Sequence, residues 1–231
     1  RLFAVYESTW KHEDFMAAAQ EYAKMVKADV MTANDYRLYG LLHVYMSSVC
    51  TKKAFEFYDK SMALAKGNDA GMFYRVRRQK NSLRIREGEA QNCIDEQRKA
   101  VQEAPGNAEE YICLASALFD AKQYEECCTA AKDAIVKFPQ EAMLYGWAGD
   151  ACRELKKYDE AFAYWEKHLE LDSTWLDSYY SMGFCYEEIG EYKKAYEVWT
   201  KLAEIITARG GVIEAEWPKG MAEKKKKKLE S

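Results

Sequence analysis

Apolar and polar positions in this chain recur with a spacing of 34 residues. Tyr111, Tyr145 and Tyr179 share that spacing, and so do Tyr124, Tyr158 and Tyr192. Small residues keep the same frame at Ala115, Gly149 and Gly183 and again at Cys127, Ala161 and Ala195, while Trp165 and Trp199 repeat with Ala131 as their smaller counterpart. Inside each period the apolar residues fall on one face of a helix. This predicts helix pairs at 108–120 and 124–136, 142–154 and 158–170, and 176–188 and 192–206, each joined by a short turn. One such pair cannot bury its apolar face alone, so the copies must stack.

The frame extends towards the N-terminus. Phe15, Ala18 and Tyr22 stand at second-helix positions, Leu2 precedes Tyr36 by one period, and Tyr36, Tyr39 and Gly40 are in register. The second copy carries two extra residues in its turn near Ser47 to Thr51, where insertions cost little. Gly67 to Gly71 is loop-like, and the helix expected at 72–86 is irregular, with Arg75, Arg77, Arg78, Lys80, Arg84 and Arg86 around a thin stripe of Val76 and Leu83. Gly88 marks its turn. The expected copies are 1–32, 33–68, 73–107, 108–141, 142–175 and 176–209, followed by a connector and a C-terminal capping helix at 210–231 that opens near Pro218 and carries a Lys-rich tail.

An aromatic, a Leu/Gly-type pair, a second Tyr, a small residue, a bulky residue and a closing Pro in a 34-residue period resemble the tetratricopeptide repeat family. Leu114-Ala115, Ala148-Gly149 and Met182-Gly183 take the family's Leu-Gly step, Pro139 its terminal proline, and Ser173 and Thr207 replace that proline later. The resemblance implies an all-α, right-handed α-solenoid of stacked helix-turn-helix hairpins. It also implies a concave surface, formed by the first helix of each hairpin, that meets peptides.

Composition agrees with a packed all-helical chain: 48% hydrophobic and 31% charged residues, with 17 Tyr and 6 Trp against only 3 Pro, give aromatic filling between helices rather than disorder. A net charge of −4 supplies no bulk electrostatic case for nucleic acid, and no apolar run is long enough to span a bilayer. The run Lys224 to Lys228, flanked by Glu223 and Glu230, reads as a solvated helix face, with a salt-sensitive RNA or lipid-surface contact through it and Arg75 to Arg86 as the rival reading. The seven cysteines form no CxxC; Cys127, Cys152 and Cys185 fall where the repeat wants a small packed residue, as reduced thiols of a cytoplasmic protein would.

Catalytic chemistry finds no support in the residues. No Gly-rich phosphate loop, HExxH, GxSxG or paired-Cys metal spacing occurs, so no cofactor, metal or small-molecule substrate is expected. His12 is placed at a turn, and His43 and His168 at packed repeat positions. The function expected is a non-catalytic scaffold or adaptor that binds a protein or peptide; the alternative is the regulatory or targeting portion of a larger enzyme, chaperone or signalling protein, motivated by a chain that starts inside a helix.

Carried over residue by residue, the resemblance puts Glu109, Ile112, Ser116, Phe119 and Asp120 on the inner surface of one copy, Met143, Gly146, Asp150, Arg153 and Glu154 on the next, and Asp177, Tyr180, Phe184, Glu187 and Glu188 on the last. The irregular copy contributes Arg77, Asn81 and Arg84. Such a surface is basic at one end, apolar in places and acidic towards the last copy. Arg77 and Asn81 resemble the first pair of the clamp by which some family members hold the acidic C-termini of heat-shock chaperones. Ile112, Cys113, Ala142 and Gly146 depart from the rest of that clamp, which argues against it.

Overall fold

A computed structural model describes residues 12–28, 30–46, 51–211 and 214–230. Expectations placed on Leu2, on the turn at 47–50, on Cys50 and on the side chains of His12 and Phe15 lie outside what it describes. Twelve helices and no strand occur among the described residues: α1 (His12–Ala28), α2 (Ala33–Met46), α3 (Thr51–Ala65), α4 (Ala70–Arg86), α5 (Ala90–Glu103), α6 (Ala108–Asp120), α7 (Tyr124–Lys137), α8 (Ala142–Glu154), α9 (Tyr158–Leu171), α10 (Leu176–Glu188), α11 (Tyr192–Ala208) and α12 (Glu216–Glu230). Within α1 to α4 and within α6 to α12, consecutive helices pack on one another, giving the all-α helical-repeat architecture that the period demands. His12 is the first residue of α1 rather than part of a turn.

The helices form two compact units, Arg1–Asp95 and Glu96–Ser231. In the first, Tyr22 of α1 stacks on Tyr39 of α2 at 5.6 Å between ring centroids, and Tyr39 meets Phe57 of α3 at 4.5 Å. Val76 and Leu83 of α4 close on Ala54 and Tyr58 of α3. The Asp69 carboxylate caps α4 by accepting the Met72 N–H at 2.8 Å, which satisfies one of the donors a helix start leaves open.

In the second unit the small and bulky positions of the period meet face to face. A Cβ placed on Gly149 would stand 2.6 Å from the Trp165 ring, and one on Gly183 would stand 2.5 Å from that of Trp199. Glycine on α8 and α10 is what lets each indole of α9 and α11 lie flush against its partner helix. Both tryptophans are fully buried. At about 25 cal/mol per Å² and roughly 200 Å² each, they contribute on the order of 5 kcal/mol apiece.

The closing prolines act through their carbonyls. The Tyr111 hydroxyl donates to the Pro105 carbonyl at 3.2 Å, and one period later the Tyr145 hydroxyl donates to that of Pro139 at 3.0 Å. The turns repeat as well: Gly88, Lys122, Lys156 and Gly190, each 34 residues after the last, all take positive φ, at 97°, 60°, 59° and 80°. Cys93, Cys113, Cys127, Cys128, Cys152 and Cys185 are buried. Burial is the main cause that pushes the Cys152 thiol up to about 12 and the Cys185 thiol up to about 11.

The C-terminal helix departs from its expected character. It begins at Glu216, two residues before Pro218, so the proline lies in the first turn, where a missing N–H costs nothing. Its lysine run is not uniformly solvated. Lys225 is 7% exposed and its ammonium meets the Glu187 carboxylate, because helical spacing turns that one lysine of the run inwards. No helix among the described residues is long and apolar enough to cross a membrane.

Candidate functional site

The first helices α6, α8 and α10 stand side by side in the second unit and carry most of the residues expected to meet a partner. The structure sorts them into three groups. Ile112 and Ser116 of α6 are 1% and 4% exposed, so they have almost no surface to offer; Ile112 belongs to a core cluster with Tyr111, Ala134 and Leu144, against which Met143 and Trp147 of α8 pack. Phe119 is held between Tyr124 at 5.4 Å and Trp147 at 5.5 Å, with Glu109 and Asp120 partly exposed on the same helix.

A second group keeps to partners of its own, and part of it lies against the C-terminal helix, with Phe184 left 44% exposed. Trp217 lies 5.8 Å from both Tyr180 and Phe184 between ring centroids, and 5.2 Å from Trp199. Glu187 accepts the Trp199 indole N–H at 2.8 Å and pairs with Lys225. Glu188 accepts the Tyr158 hydroxyl at 2.9 Å. Arg153 and Glu154 form an ion pair with each other.

The third group opens into a cavity of about 80 Å³ between α8, α9 and α10. Met143, Gly146 and Asp150 line it together with Asp177, and Trp147, His168, Trp175 and Ser178 complete its wall. Asp150 Oδ1 accepts the Trp165 indole N–H at 2.9 Å and the Ser181 hydroxyl at 3.0 Å. Enclosure nevertheless dominates and pushes the Asp150 carboxyl up to about 6, while desolvation raises that of Asp177 at the rim. Gly146 makes room for His168, whose Nδ1 would lie 2.7 Å from a Cβ there and which shares a hydrogen bond of 2.9 Å with the Ser178 hydroxyl. Burial holds the His168 pKa below the usual imidazole range, and the lining carries two carboxyls and no lysine or arginine, with the Arg153 guanidinium acting on Asp150 from outside it.

In the first unit, Asn81 is buried and its amide nitrogen has no hydrogen-bond partner among the described residues. Arg84 donates from Nε and Nη2 to Glu89 Oε2 at 3.0 and 2.9 Å, and the Arg77 guanidinium lies 5.8 Å from the Tyr74 ring. The period did not announce Trp147, His168, Trp175, Ser178, Trp217 or Lys225 as parts of this surface. His168 had a readable signal, since Gly146 on the paired helix leaves room for a ring.

Residues 177–205 match the family model described as the tetratricopeptide repeat. No curated protein matches the sequence. Among solved structures, TTC0263, a thermophilic protein of this repeat type from Thermus thermophilus, is 17% identical over 83% of this chain and 98% of its own, with a TM-score of 0.57. MamA is 20% identical over 72% of this chain and 98% of its own, with a TM-score of 0.52. A MamA fragment from Desulfovibrio magneticus RS-1 is 18% identical over 76% and 96%, with a TM-score of 0.50. At these identities the likeness is one of fold. Residues 177–205 therefore carry a tetratricopeptide repeat, and the paired helices at a 34-residue period share the fold of these structures.

Proposed function

We propose that the chain is a non-catalytic protein-interaction module whose second unit holds a partner segment along α6, α8 and α10, seating a lysine or arginine side chain at Asp150 and Asp177. The observation that carries this reading is the cavity between α8 and α10, which two carboxyls share without a basic side chain in its lining. A cation arriving there meets Asp177 at the rim and Asp150 deeper in, with Trp147 and Trp175 as flat walls for the aliphatic stem. The helices are already in place, so conformational freedom is lost chiefly by the partner. A dissociation constant on the order of 1 μM, about −8 kcal/mol, is ordinary for such recognition.

Selection from a random dodecapeptide library on the full chain tests it. Selected peptides are expected to carry a lysine or arginine and to lose at least about tenfold in affinity with Asp177→Asn or Asp150→Asn. Enrichment of acidic peptides, or binding indifferent to both substitutions, would refute it.

A further inference from the structure

The end of the second unit carries a separate open groove. It encloses about 690 Å³ between α11 and α12, and its apolar lining comes from Tyr196, Ala203, Ala208 and Ala222. Thr200 and Thr207 also line it, and their hydroxyls donate to the Tyr196 and Ala203 carbonyls of their own helix at 2.8 and 2.7 Å. With those hydroxyls satisfied inside α11, what the two threonines offer a neighbour is their methyl groups.

The repeat itself says what occupies a groove of this kind. Thr200 stands 34, 68 and 102 residues after Glu166, Lys132 and Arg98. Arg98 of α5 pairs with Glu126 of α7 at 2.5 Å, and Lys132 of α7 pairs with Glu160 of α9 at 2.7 Å. This position therefore marks the line along which α5 faces α7 and α7 faces α9. Thr200 lies on that line, and α12 packs on α11 as α8 packs on α7, with the groove beside them open among the described residues.

The charge at the groove is reversed relative to those at Arg98 and Lys132 and has the sign of the one at Glu166, where the next second helix, α11, opens with Lys193 and Lys194. Where Arg98 and Lys132 present cations to acidic helix starts, Thr200 is neutral, Glu204 stands one turn further along, and Glu223 faces it from α12, with Lys219 as the single cation of the lining. We infer that this groove receives an amphipathic helix of a protein partner, laid beside α11 as α9 lies beside α7, with small and aromatic residues facing inwards and basic residues in its first turn.

The chain supplies the probes. A labelled peptide of residues 191–209 carries Lys193 and Lys194 where a peptide of residues 157–172 carries Asp159 and Glu160. Fluorescence anisotropy against the full chain is expected to show the first binding at least about tenfold more tightly than the second. Glu204→Lys, at an exposed position, should erase or invert that preference, and Ala208→Trp, also exposed, should weaken both while the circular dichroism spectrum stays unchanged. Asp177→Asn should leave the binding as it was, which separates this site from the cavity between α8 and α10. Equal affinities, no binding of 191–209, or a preference untouched by Glu204→Lys would overturn the inference. Self-association of the chain that Ala208→Trp abolishes would overturn it too, since the occupant would then be a second copy.

Discussion

Trp165 donates its indole N–H to Asp150 at 2.9 Å, but the same bond cannot form one period later, where Phe184 takes the place of the aspartate. There the Trp199 indole donates to Glu187 at 2.8 Å, three residues further along α10, and the Phe184 ring meets it edge-on at 5.1 Å. A buried indole needs an acceptor, and the two copies find it from different residues. That substitution frees α10 to offer aromatic surface to Trp217, while α8 keeps a carboxyl beside a cavity.

The Asp150 carboxyl gives a pH signature. Its pKa of about 6 in the fold lies above the ordinary value of 3.8, so the folded chain keeps a proton that the unfolded chain has released. The contribution is thus present in full below the unfolded pKa and is lost as pH rises through the folded one, by up to about 3 kcal/mol. Urea midpoints between about pH 4 and pH 7 are expected to fall with rising pH in the wild type and to fall less in Asp150→Asn. Parallel profiles would show that the carboxyl is not held in this way.

Gly183→Ala puts a methyl 2.5 Å from the Trp199 ring, whose burial leaves it no free space to withdraw into. The substitution is expected to cost about 1–3 kcal/mol in denaturant unfolding. Trp199→Phe in the same background should recover part of that loss, because the smaller ring vacates the space. A strictly additive double variant would locate the strain elsewhere.

Lys225 and Glu187 fasten the last helix. Their side chains are 8% and 19% exposed, so removing one partner strands the other charge. Lys225→Ala should destabilise by about 3 kcal/mol and speed amide exchange across α12 ahead of α6 to α9, whereas the paired change Lys225→Met with Glu187→Gln should cost less. Uniform exchange along the unit would argue that α12 is held by its apolar contacts alone.

The period made the helices legible because it is written in residues whose size is fixed by a neighbour in the same hairpin. Gly149 opposite Trp165 and Gly183 opposite Trp199 are local pairs, sixteen residues apart, and nothing distant alters them. The inner surface was legible only as a helical stripe. Ile112 belongs to that stripe yet lies in the core, because whether a first helix shows a given position depends on what the adjacent first helix lays over it, here Met143 and Trp147. Lys225 looked like one lysine among five; its place on the buried side of α12 depends on where Glu187 waits.

Sequence alone therefore determined the helix pairs, their turns and their stacking, since these follow from contacts within and between neighbouring copies that the 34-residue spacing repeats. Tertiary structure alone decided which carboxyls share a cavity and which aromatics lie beside Trp217, because those outcomes depend on side chains from three helices meeting at once, and it alone decided which groove between α11 and α12 is left open. A one-dimensional period carries no term for such a meeting.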